Sequence, residues 1–586
     1  MAKQARKTKN DKHSKLSTLR HSASHTLAAA VLDMCPGSKL GVGPATEDGF
    51  YYDFDLPNPI SPEDLPKLEK KIRGIIARDL DISKSELPID AAIEKARNES
   101  QDYKIELIQD LKAEGKTKVS YYTIGDFTDL CEGPHVNSTK DIGVVKLLSI
   151  AGAYWRGDEN KPQLTRIYGT AFETQEKLDE YLKRLEEAKK RDHRLLGEQL
   201  DLFSFQPEGP GFVFWHPKGK FITKQVIQYM RQVLAKNNYQ EVETPIILNE
   251  ELWHKSGHWD NYKENMYFTS VDERNYAIKP MNCPGSVLIF KDSLHSYRDL
   301  PLRMAEFGLV HRHELSGVLH GLFRVRSFVQ DDAHSFCTPE QIKDEIKNLL
   351  DTLKEVYKTF GFTKYKIELS TRPEKAIGSD ELWEKSEKIM EEVAKEQKLK
   401  LSINEGAGAF YGPKFDFHIE DAIGRTWQLG TIQLDFSMPE RLGATYIDSN
   451  GDKQNPVLIH RAILGSLERF IGILIEHYGG RMPLWLAPIQ AIILSIGQDH
   501  IEYANQVSKS LEKAKLRVEV DDRNETLGKK IREAELKKVP YIVVIGDKEK
   551  ENNSVAIRTV ATNEQSTLSL EDGVKLIKKF KNPIKR

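Results

Sequence analysis

The stretch that decides the fold of the largest region is Ile459-His-Arg-Ala-Ile-Leu-Gly-Ser-Leu-Glu-Arg-Phe-Ile-Gly-Ile-Leu-Ile-Glu-His-Tyr478. Its apolar side chains recur at the spacing of a buried helix face, so it predicts one long helix over 459–478. Gly465 and Gly472 flank Arg469 on the opposite edge of this helix, and small residues beside an arginine let a ligand approach the backbone closely. The stretch therefore predicts a core helix that also presents a cation to a ligand.

The rest of residues 191–483 places short strands around this helix. Strand-like segments at 276–278, 324–330 and 427–436 have alternating or mixed polarity and lie between helices. Such strands are typical of antiparallel sheets. We expect a domain built on an antiparallel sheet and flanked by helices.

Residues 484–586 alternate between strands and helices. The pattern predicts strands at 491–497, 517–521 and 541–546, with helices at about 499–515 and 527–538. This β-α-β-α-β order favours a mostly parallel sheet covered by helices, an α/β domain. The region has 19 Lys and Arg against 15 Asp and Glu, a net of +4 in a chain of net charge −2, which fits contact with RNA without establishing it.

Residues 16–190 mix helices and strands and predict an α+β domain. They end in a charged run, about 173–194, that is typical of an exposed connecting helix. The first 15 residues are basic and have no apolar segment, so they predict a disordered tail rather than a secretory signal. We therefore expect a multidomain α+β and α/β protein with boundaries near residues 15, 190 and 483.

Composition excludes several classes of protein. No run of about 20 apolar residues is long enough to span a bilayer, so no membrane partner is expected. The four cysteines, Cys35, Cys131, Cys283 and Cys337, lack CxxC spacing. This argues against a disulfide framework and favours a reducing, cytoplasmic location. With a net charge near zero, any surface for nucleic acid must be local.

Charged and metal-binding side chains are concentrated in a few segments of residues 191–483. They occur in Met281-Asn-Cys-Pro-Gly285, His311-Arg-His-Glu314, Arg324-Val-Arg326, Gln330-Asp-Asp-Ala-His334 and the stretch that includes His460. Guanidinium groups such as Arg312 suit phosphates, and carboxylates such as Glu314 and Asp332 suit Mg²⁺ or an ammonium group. Cys283, His334 and His460 have the donor atoms of a zinc site. Because they are far apart in sequence, a buried cysteine and two unrelated histidines remain the alternative.

A second set of side chains lies in His21-Ser-Ala-Ser-His25 and Cys131-Glu-Gly-Pro-His135. Histidines four residues apart share one face of a helix. Together with the cysteine and the third histidine, they predict either a tetrahedral zinc site or a hydrolytic pocket without metal. Two unrelated surface pairs are the alternative.

Longer motifs carry a resemblance to a known family. Two segments resemble motifs 2 and 3 of class II aminoacyl-tRNA synthetases. They are a predicted strand at Arg312–Glu314 with a hairpin to Arg324-Val-Arg326, and Gly465-Ser-Leu-Glu-Arg469 on the predicted helix. The helix at 217–236 with Val242-Glu-Thr-Pro245 resembles motif 1, which forms dimers in that class. Within the class, the chain from about residue 16 onward is similar to threonyl-tRNA synthetases, most specifically at 281–285, 330–334, 409–414, 433–436 and 459–478. The resemblance implies an editing domain at 16–190, a catalytic domain at 191–483, an anticodon-binding domain at 484–586, and a homodimer.

The resemblance implies roles for residues of the catalytic domain. One Zn²⁺ would be bound by Cys283, His334 and His460, with positions left open for the amino and hydroxyl groups of threonine. Valine has nearly the same shape but no hydroxyl, and an apolar pocket alone separates such isosteres by only about 10²-fold. The remaining implied roles are amino-acid binding by Met281, Gln330, Asp332, Tyr411 and Gln433, and catalysis by Arg312, Glu314, Arg324, Lys414 and Arg469. Arg312 would hold the α-phosphate and Arg469 the γ-phosphate of ATP with Mg²⁺, and Arg324 is a further candidate for the phosphates. The implied reaction activates L-threonine as an adenylate and transfers it to tRNA(Thr).

The other two domains receive implied roles as well. Serine lacks only a methyl group of threonine, worth about 1–3 kcal/mol of discrimination, so a second site that hydrolyses seryl-tRNA is expected. The residues implied for that site are His21, His25, Lys104, Asp129, Cys131 and His135.

Asn524, Glu549 and Arg558 would contact unstacked anticodon bases, the usual way in which proteins recognise an RNA sequence.

Three features depart from the family pattern. Only about 15 residues precede the predicted editing domain, where the family has a small ubiquitin-like domain. Ser286 stands where the family commonly has histidine, and His313 stands where asparagine is common. We expect aminoacylation to persist, whereas the effect on tRNA positioning for editing stays open.

Two other functions fit parts of the sequence. A prolyl enzyme of the same subclass gives no reason for either Cys–His set. A synthetase-like RNA-binding regulator without catalysis should have lost Arg312, Arg469 or the predicted zinc ligands, which are all present. The sequence therefore favours the enzyme.

Overall fold

The computed structural model of the chain describes residues 14–580 and 582–584. It divides into two compact units, the first ending at Glu186 and the second beginning at Glu187. The predicted basic tail lies outside the described residues up to position 13. Its last two residues are structured, because Ser14 caps a helix that begins at Lys15. Among the described residues, no helix is both long enough and apolar enough to cross a membrane.

The first unit contains two antiparallel sheets and their helices, which is the α+β architecture predicted for it. One sheet has the order β1-β2-β7-β6 and the other has the order β3-β4-β5. The predicted charged connector is helical and begins within this unit. The elements are α1 (Lys15–Met34), β1 (Lys39–Leu40), β2 (Phe50–Asp55), α2 (Leu65–Ala77), β3 (Ile82–Pro88), α3 (Ile89–Asn98), α4 (Asp102–Ala113), β4 (Lys118–Ile124), β5 (Phe127–Leu130), β6 (Val144–Tyr154), β7 (Gln163–Phe172) and α5 (Gln175–Lys190).

Helix α1 is anchored by its cap and by its buried face. Ser14 Oγ accepts the backbone N–H of Ser17 at 3.1 Å, which satisfies a first-turn donor that would otherwise lack a partner. Ala23, Ala28 and Ala30 are fully buried in the core of the unit. Small side chains on this face allow the helix to lie close to the sheet, so the histidines that it carries are held in place.

The second unit is built around an eight-stranded sheet of order β10-β14-β15-β22-β19-β18-β16-β17. The sheet is antiparallel except at its two edges, where β10 pairs with β14 and β17 pairs with β16 in parallel. This confirms the predicted antiparallel core. The elements up to residue 478 are α6 (His193–Gln199), β8 (Phe203–Ser204), β9 (Phe214–Trp215), α7 (Pro217–Lys236), β10 (Gln240–Glu241), β11 (Ile247–Asn249), α8 (Glu250–Lys255), α9 (His258–Tyr262), β12 (Tyr267–Val271), β13 (Arg274–Ile278), α10 (Cys283–Lys291), β14 (Leu302–His311), β15 (Ser327–Cys337), α11 (Ile342–Thr359), β16 (Tyr365–Ser370), α12 (Asp380–Glu396), β17 (Leu401–Asn404), β18 (Lys414–Glu420), β19 (Thr426–Asp435), α13 (Ser437–Leu442), β20 (Tyr446–Ile447), β21 (Lys453–Gln454), β22 (Val457–Ser466) and α14 (Leu467–Tyr478).

The prediction of one helix over 459–478 is wrong. The first half is strand β22, and helix α14 begins only at Leu467. Strand β22 lies between β15 and β19 and is buried along most of its length. A strand buried on both faces has a continuous apolar run, which helical periodicity does not distinguish from a core helix.

The change from strand to helix occurs at Gly465 and Ser466. Gly465 has a φ of +69°, a left-handed conformation that favours glycine. Ser466 Oγ then accepts the backbone N–H of Arg469 at 3.2 Å and caps α14. Arg469 therefore lies in the first turn of the helix, and Gly465 is not on the helix at all.

Two smaller boundaries also differ from the prediction. Strand β14 ends at His311, so Arg312 and Glu314 lie in the connection that follows it rather than in a strand. The next strand of the sheet, β15, begins at Ser327, three residues later than predicted. The arginines of this region therefore stand on the connection between two paired strands.

The C-terminal part confirms the predicted α/β order. Its sheet has the order β24-β23-β25-β26-β27, and the first three strands are mutually parallel. Two antiparallel strands that the pattern did not predict extend the sheet. The elements are β23 (Ala491–Ser495), α15 (Ile501–Lys513), β24 (Val518–Asp521), α16 (Leu527–Leu536), β25 (Tyr541–Ile545), α17 (Asp547–Glu551), β26 (Ser554–Thr559), β27 (Glu564–Ser569) and α18 (Leu570–Lys578).

Candidate functional sites

The sheet of the second unit brings together the three predicted metal ligands. Strands β15 and β22 pair in a register that sets His334 directly opposite His460. Cys283 begins helix α10. The three side chains are buried, and their candidate ligand atoms lie within 4.8 Å of one another. The three side chains are therefore neighbours in the fold, and their binding of a metal stays a prediction.

Neighbouring side chains determine which nitrogen of each ring is available. Ser286 Oγ lies 3.0 Å from Nδ1 of His334, and Asp435 Oδ2 lies 3.0 Å from Nε2 of His460. Among the described residues, Nε2 of His334 has no hydrogen-bond partner although it is buried. Burial lowers the pKa of His334 and raises the pKa of the Cys283 thiol. An unpartnered imidazole nitrogen beside a buried sulfur and a second imidazole fits a zinc ion.

The predicted amino-acid-binding residues surround this cluster. The ring of Tyr411 lies 4.8 Å from that of His460, and its hydroxyl donates a hydrogen bond to Oε1 of Gln433. Asp332 lies near His334, with 3.8 Å between Oδ1 and Nε2. Oε1 of Gln330 is buried without a partner in the described part of the chain. These polar groups can bind an amino acid next to the candidate metal ligands.

The carboxylate of Asp332 has a distinct environment. It accepts a hydrogen bond from Nδ2 of Asn282 at 3.2 Å. Burial raises its pKa to about 6, although His460 and Arg461 oppose the shift. A buried carboxylate with few compensating donors has a strong tendency to bind an ammonium group.

Sequence reasoning missed one member of this site. His258 is fully buried, with Nε2 3.2 Å from Sδ of Met281 and 3.9 Å from Sγ of Cys283. His254 precedes it by four residues, but the two histidines lie in different helices, α8 and α9, and only the tertiary fold brings His258 to Cys283. Asp435 lies in the motif at 433–436. Its contact with His460 became evident only from the pairing of β19 with β22.

The predicted phosphate-binding arginines lie at the ends of the same strands. Nε of Arg312 donates to the carbonyl oxygen of Pro280 at 3.3 Å. Nε of Arg324 is 3.4 Å from Oε2 of Glu314. Because the guanidinium of Arg324 lies near Arg469, it adds to the effect of burial in lowering the pKa of Arg469. Cations held close together favour a polyanion between them.

Lys414 has a partner within the fold. Its Nζ lies 2.7 Å from Oδ2 of Asp416, which also accepts the hydroxyl of Ser370 at 2.7 Å. Nε2 of Gln428 donates to the other oxygen of Asp416 at 2.9 Å. Lys414 is therefore part of a buried polar network, and a direct role for it in catalysis stays a prediction.

The second predicted set is also brought together, within the first unit. His21 and His25 on α1 and Cys131 and His135 after β5 have candidate ligand atoms within 4.8 Å of one another. Sγ of Cys131 lies 3.3 Å from Nε2 of His21 and 3.2 Å from Nε2 of His135. The alternative of two unrelated surface pairs is wrong.

The side chains of this second set are electrically neutral near neutral pH. Burial lowers the pKa of His21 and His25, and lowers that of His135 to about 2. Burial raises the pKa of the Cys131 thiol to about 12. Nδ1 of His21 lies 3.2 Å from the carbonyl oxygen of Pro134, which only accepts, so this nitrogen carries the proton. The set is therefore a neutral group of donors and acceptors.

A buried ion pair adjoins these histidines. Nζ of Lys104 lies 2.6 Å from Oδ1 of Asp129, and Nε2 of His25 lies 4.0 Å from Oδ2 of Asp129. The hydroxyl of Tyr52 donates to Oδ2 of Asp129 and accepts a hydrogen bond from Lys104 at 3.2 Å. Both predicted residues are therefore at the site. Tyr52 was missed because it lies in a strand of aromatic residues, which is typical of a core.

The three predicted anticodon residues occupy different parts of the C-terminal sheet. Asn524 is exposed and follows β24. Glu549 lies in α17, after β25, and accepts the backbone N–H of Gly546 at 3.0 Å. Arg558 pairs with Ile542 near the beginning of β25, and its guanidinium lies 2.8 Å from Oε1 of Glu535. Two of the three thus follow the ends of parallel strands, whereas Arg558 lies near the opposite end.

Comparison with known families defines the class of this fold. Residues 267–478 match the tRNA synthetase class II core domain (G, H, P, S and T), and residues 490–580 match the anticodon binding domain. Residues 119–168 match the threonyl and alanyl tRNA synthetase second additional domain. The fold is therefore that of a class II aminoacyl-tRNA synthetase.

Individual relatives narrow the class to one family. The chain is 56% identical over 564 residues to the threonine–tRNA ligase of Acetivibrio thermocellus, covering 96% of this chain and 88% of the relative. It is 55% identical over 557 residues to that of Clostridium tetani, covering 95% and 87%. The chain belongs to the threonine–tRNA ligase family.

Solved structures agree with this assignment. The RNA binding domain of a threonyl-tRNA synthetase from Cryptosporidium parvum has a TM-score of 0.63 and 43% identity, covering 66% of this chain and 98% of that one. An Aeropyrum pernix protein described as a threonyl-tRNA synthetase has a TM-score of 0.60 and 30% identity, covering 67% and 96%. The family favours a ligase with an editing domain over a regulator without catalysis.

Proposed function

We propose that this chain joins L-threonine to tRNA(Thr) at the Cys283–His334–His460 site and hydrolyses seryl-tRNA at the His21–Cys131 site. The observation that carries the proposal is the unpartnered Nε2 of His334, which is buried between a thiol and a second imidazole. The family assignment supports the same reaction.

Zinc is the metal that fits the three ligands. When bound, Zn²⁺ supplies a Lewis acid whose remaining positions accept an amino group and a neighbouring hydroxyl. The residues around it bind the rest of the amino acid. Asp332 accepts a hydrogen bond from the same amino group, and Tyr411 with Gln433 closes the side-chain pocket. Valine offers no hydroxyl and is rejected, whereas serine offers the same two groups as threonine and is not.

ATP, with Mg²⁺, is held by the arginines of the site. Arg312 binds the α-phosphate, and Arg469 with Arg324 binds the terminal phosphates. A carboxylate oxygen of threonine attacks the α-phosphorus, the bond to the bridging oxygen breaks, and pyrophosphate leaves. A terminal ribose hydroxyl of tRNA then attacks the acyl carbon and AMP leaves. Alignment and charge stabilisation suffice for the first step, without a protein acid or base.

Editing is the hydrolysis of an ester. A water molecule held by the neutral imidazoles and the thiol attacks the acyl carbon of seryl-tRNA, and the proton passes to the departing ribose oxygen. Lys104, paired with Asp129, contributes positive charge toward the developing oxyanion. The neutral state of the four side chains supports ordered water rather than a thiolate nucleophile.

Domain roles complete the proposal. Residues 16–190 form the editing domain with its helical connector, 191–483 the catalytic domain and 484–586 the anticodon-binding domain. Asn524, Glu549 and Arg558 contact anticodon bases. The enzyme acts in the cytoplasm, which agrees with its free cysteines.

A homodimer is part of the proposal. Several large apolar side chains directly after the motif 1 segment, and on and after helix α10, are exposed, a pattern that marks protein interfaces. They are Ile246, Ile247, Leu288, Ile289 and Leu294, with exposures of 41%, 54%, 41%, 37% and 93%. A second copy of the chain would cover them.

The metal-dependent part is tested by a matched pair of cysteine variants. Cys283 and Cys337 are both buried and free, but only Cys283 lies in the ligand cluster. We expect Cys283→Ala to lose bound zinc and threonine activation, and Cys337→Ala to keep both. Full zinc content in Cys283→Ala would contradict the proposed site.

A further inference from the structure

A buried histidine outside the proposed machinery contacts the turn that precedes Arg324. His193 begins α6 and is fully buried. Its Nδ1 lies 2.7 Å from Oε1 of Glu476 on α14, and its Nε2 lies 2.9 Å from the backbone nitrogen of Leu322. Because a backbone N–H only donates, Nε2 accepts, and Nδ1 carries the proton that it donates to Glu476. The ring is thus a neutral bridge between α14 and the turn Gly321–Phe323.

The turn is fitted closely against this ring. The rings of Phe323 and His193 have centroids 4.0 Å apart. Gly321 has a φ of +47°, and a Cβ at that position would lie 2.3 Å from Nε2 of His193. A Cβ on Gly472 of α14 would meet the Phe323 ring at 2.9 Å. Glycine is needed at both places because the turn, the histidine and the helix approach so closely.

The same turn contacts Arg469, a proposed phosphate-binding residue. The carbonyl oxygen of Phe323 accepts a hydrogen bond from Nη1 of Arg469 at 3.3 Å, and the next residue along the chain is Arg324. Arg469 and Glu476 lie on the same helix, seven residues apart. His193 thus links the helix that carries Arg469 to the carbonyl that orients it.

The carboxylate end of the bridge is also held. Oε1 of Glu476 accepts the backbone N–H of His193 at 3.1 Å, and Oε2 lies 2.5 Å from Nη2 of Arg425. Arg425 is in turn bound to Asp421 at 2.7 Å. Both nitrogens of His193 are therefore used within the fold, which argues against a metal at the Asp192–His193–Glu476 group of potential ligands.

We propose that His193 is a positioning residue for ATP, which holds the Gly321–Phe323 turn so that Arg469 and Arg324 face the phosphates. The proposal rests on the proposed role of Arg469 in binding ATP. Loss of the bridge leaves the buried N–H of Leu322 without an acceptor and frees the turn. The effect falls on ATP and not on threonine, whose pocket lies on other residues.

Two amide substitutions separate the halves of the bridge. A Gln side chain places its oxygen near the position of Nε2 and preserves an acceptor for Leu322. An Asn side chain places its nitrogen near Nδ1 and preserves the donor to Glu476.

We expect His193→Ala and His193→Asn to raise the KM for ATP about tenfold in pyrophosphate exchange, with the KM for threonine within twofold of the unmodified enzyme. His193→Gln should recover most of the ATP affinity, and the exposed Glu198→Ala on the same helix is the control.

Thermal unfolding of each variant separates positioning from stability alone. If His193→Gln and His193→Asn lose stability equally and share one KM for ATP, the proposal is overturned. Arg469→Ala is measured alongside. A raised KM for ATP in Arg469→Ala but not in His193→Ala contradicts the positioning role only. An unchanged KM in Arg469→Ala contradicts the proposed function of that arginine and, with it, this inference.

Discussion

Ser286 Oγ lies 3.0 Å from Nδ1 of His334, on the side of the ring away from the nitrogen that has no partner in the part of the chain that the structure describes. A hydrogen bond to one nitrogen of an imidazole fixes the orientation and tautomer that the other presents to a metal. A serine hydroxyl therefore occupies the position behind the proposed ligand.

We expect Ser286→Ala to weaken zinc binding about tenfold, because His334 loses the contact that orients it. Competition of the purified enzyme with a chromogenic chelator measures this affinity directly. The exposed Ser293→Ala on the segment after α10 serves as the control. Equal zinc affinity in the two variants would show that Ser286 does not orient the ligand.

Tyr52→Phe tests the proposed editing site. The substitution removes the hydroxyl that bridges Asp129 and Lys104 and leaves the ring in the core. We expect hydrolysis of seryl-tRNA to slow about tenfold, with threonine activation unchanged, because the ion pair loses its alignment. Tyr154→Phe, which alters a tyrosine that is 44% exposed, should change neither rate. Normal hydrolysis by Tyr52→Phe would remove Tyr52 from the site.

Glu468 makes the stability of the second unit depend on pH. Burial raises its pKa to about 7 from an ordinary value of 4.5. Between these values the unfolded chain has released the proton while the folded chain still holds it, so the contribution to stability falls as pH rises. We expect Glu468→Gln to be more stable than the unmodified chain by about 1–3 kcal/mol near pH 8, with the advantage shrinking toward pH 4.5.

Denaturant unfolding at several pH values checks this prediction. The exposed Glu198→Gln is the control, since it alters an equal charge without burial. An advantage of Glu468→Gln that does not vary with pH would mean that the buried carboxyl does not titrate in this window.

Ile247→Arg tests the proposed dimer. Ile247 is 54% exposed beside the motif 1 segment, and a charge placed in an apolar contact must be desolvated when two copies associate. We expect the dissociation constant to rise about 100-fold in sedimentation analysis. Leu536→Arg, at a leucine 60% exposed on α16, should leave the assembly unchanged. A chain that sediments as a monomer before substitution would rule out the dimer.

Sequence reasoning reached the site residues through motifs rather than through geometry. Spacing alone left Cys283, His334 and His460 undecided, because the register of β15 with β22 brings the two histidines together and the packing of α10 adds Cys283. The apolar run at 459–478 was predicted to be one helix, because a strand that is buried on both faces shows no alternation of polar and apolar residues. The pattern of polar and apolar residues predicted secondary structure better where it is regular, as in the C-terminal strands and helices.

Two residues, His193 and Tyr52, could not be predicted from the sequence for the same physical reason. His193 has partners at Leu322 and Glu476, far along the chain, and Tyr52 lies within an ordinary buried strand. Nothing in their local sequence distinguishes them from core residues. Their roles depend on tertiary contacts, which no periodicity records.

The proposed function requires that the buried Cys–His cluster selects threonine through a bound metal. ATP–pyrophosphate exchange with threonine, serine, valine and proline, with and without a zinc chelator, tests it most directly. We predict zinc-dependent exchange with threonine, weaker exchange with serine, and none with valine or proline. Exchange with valine comparable to that with threonine, or exchange with threonine that survives complete removal of zinc, would contradict the selection of threonine by a bound metal.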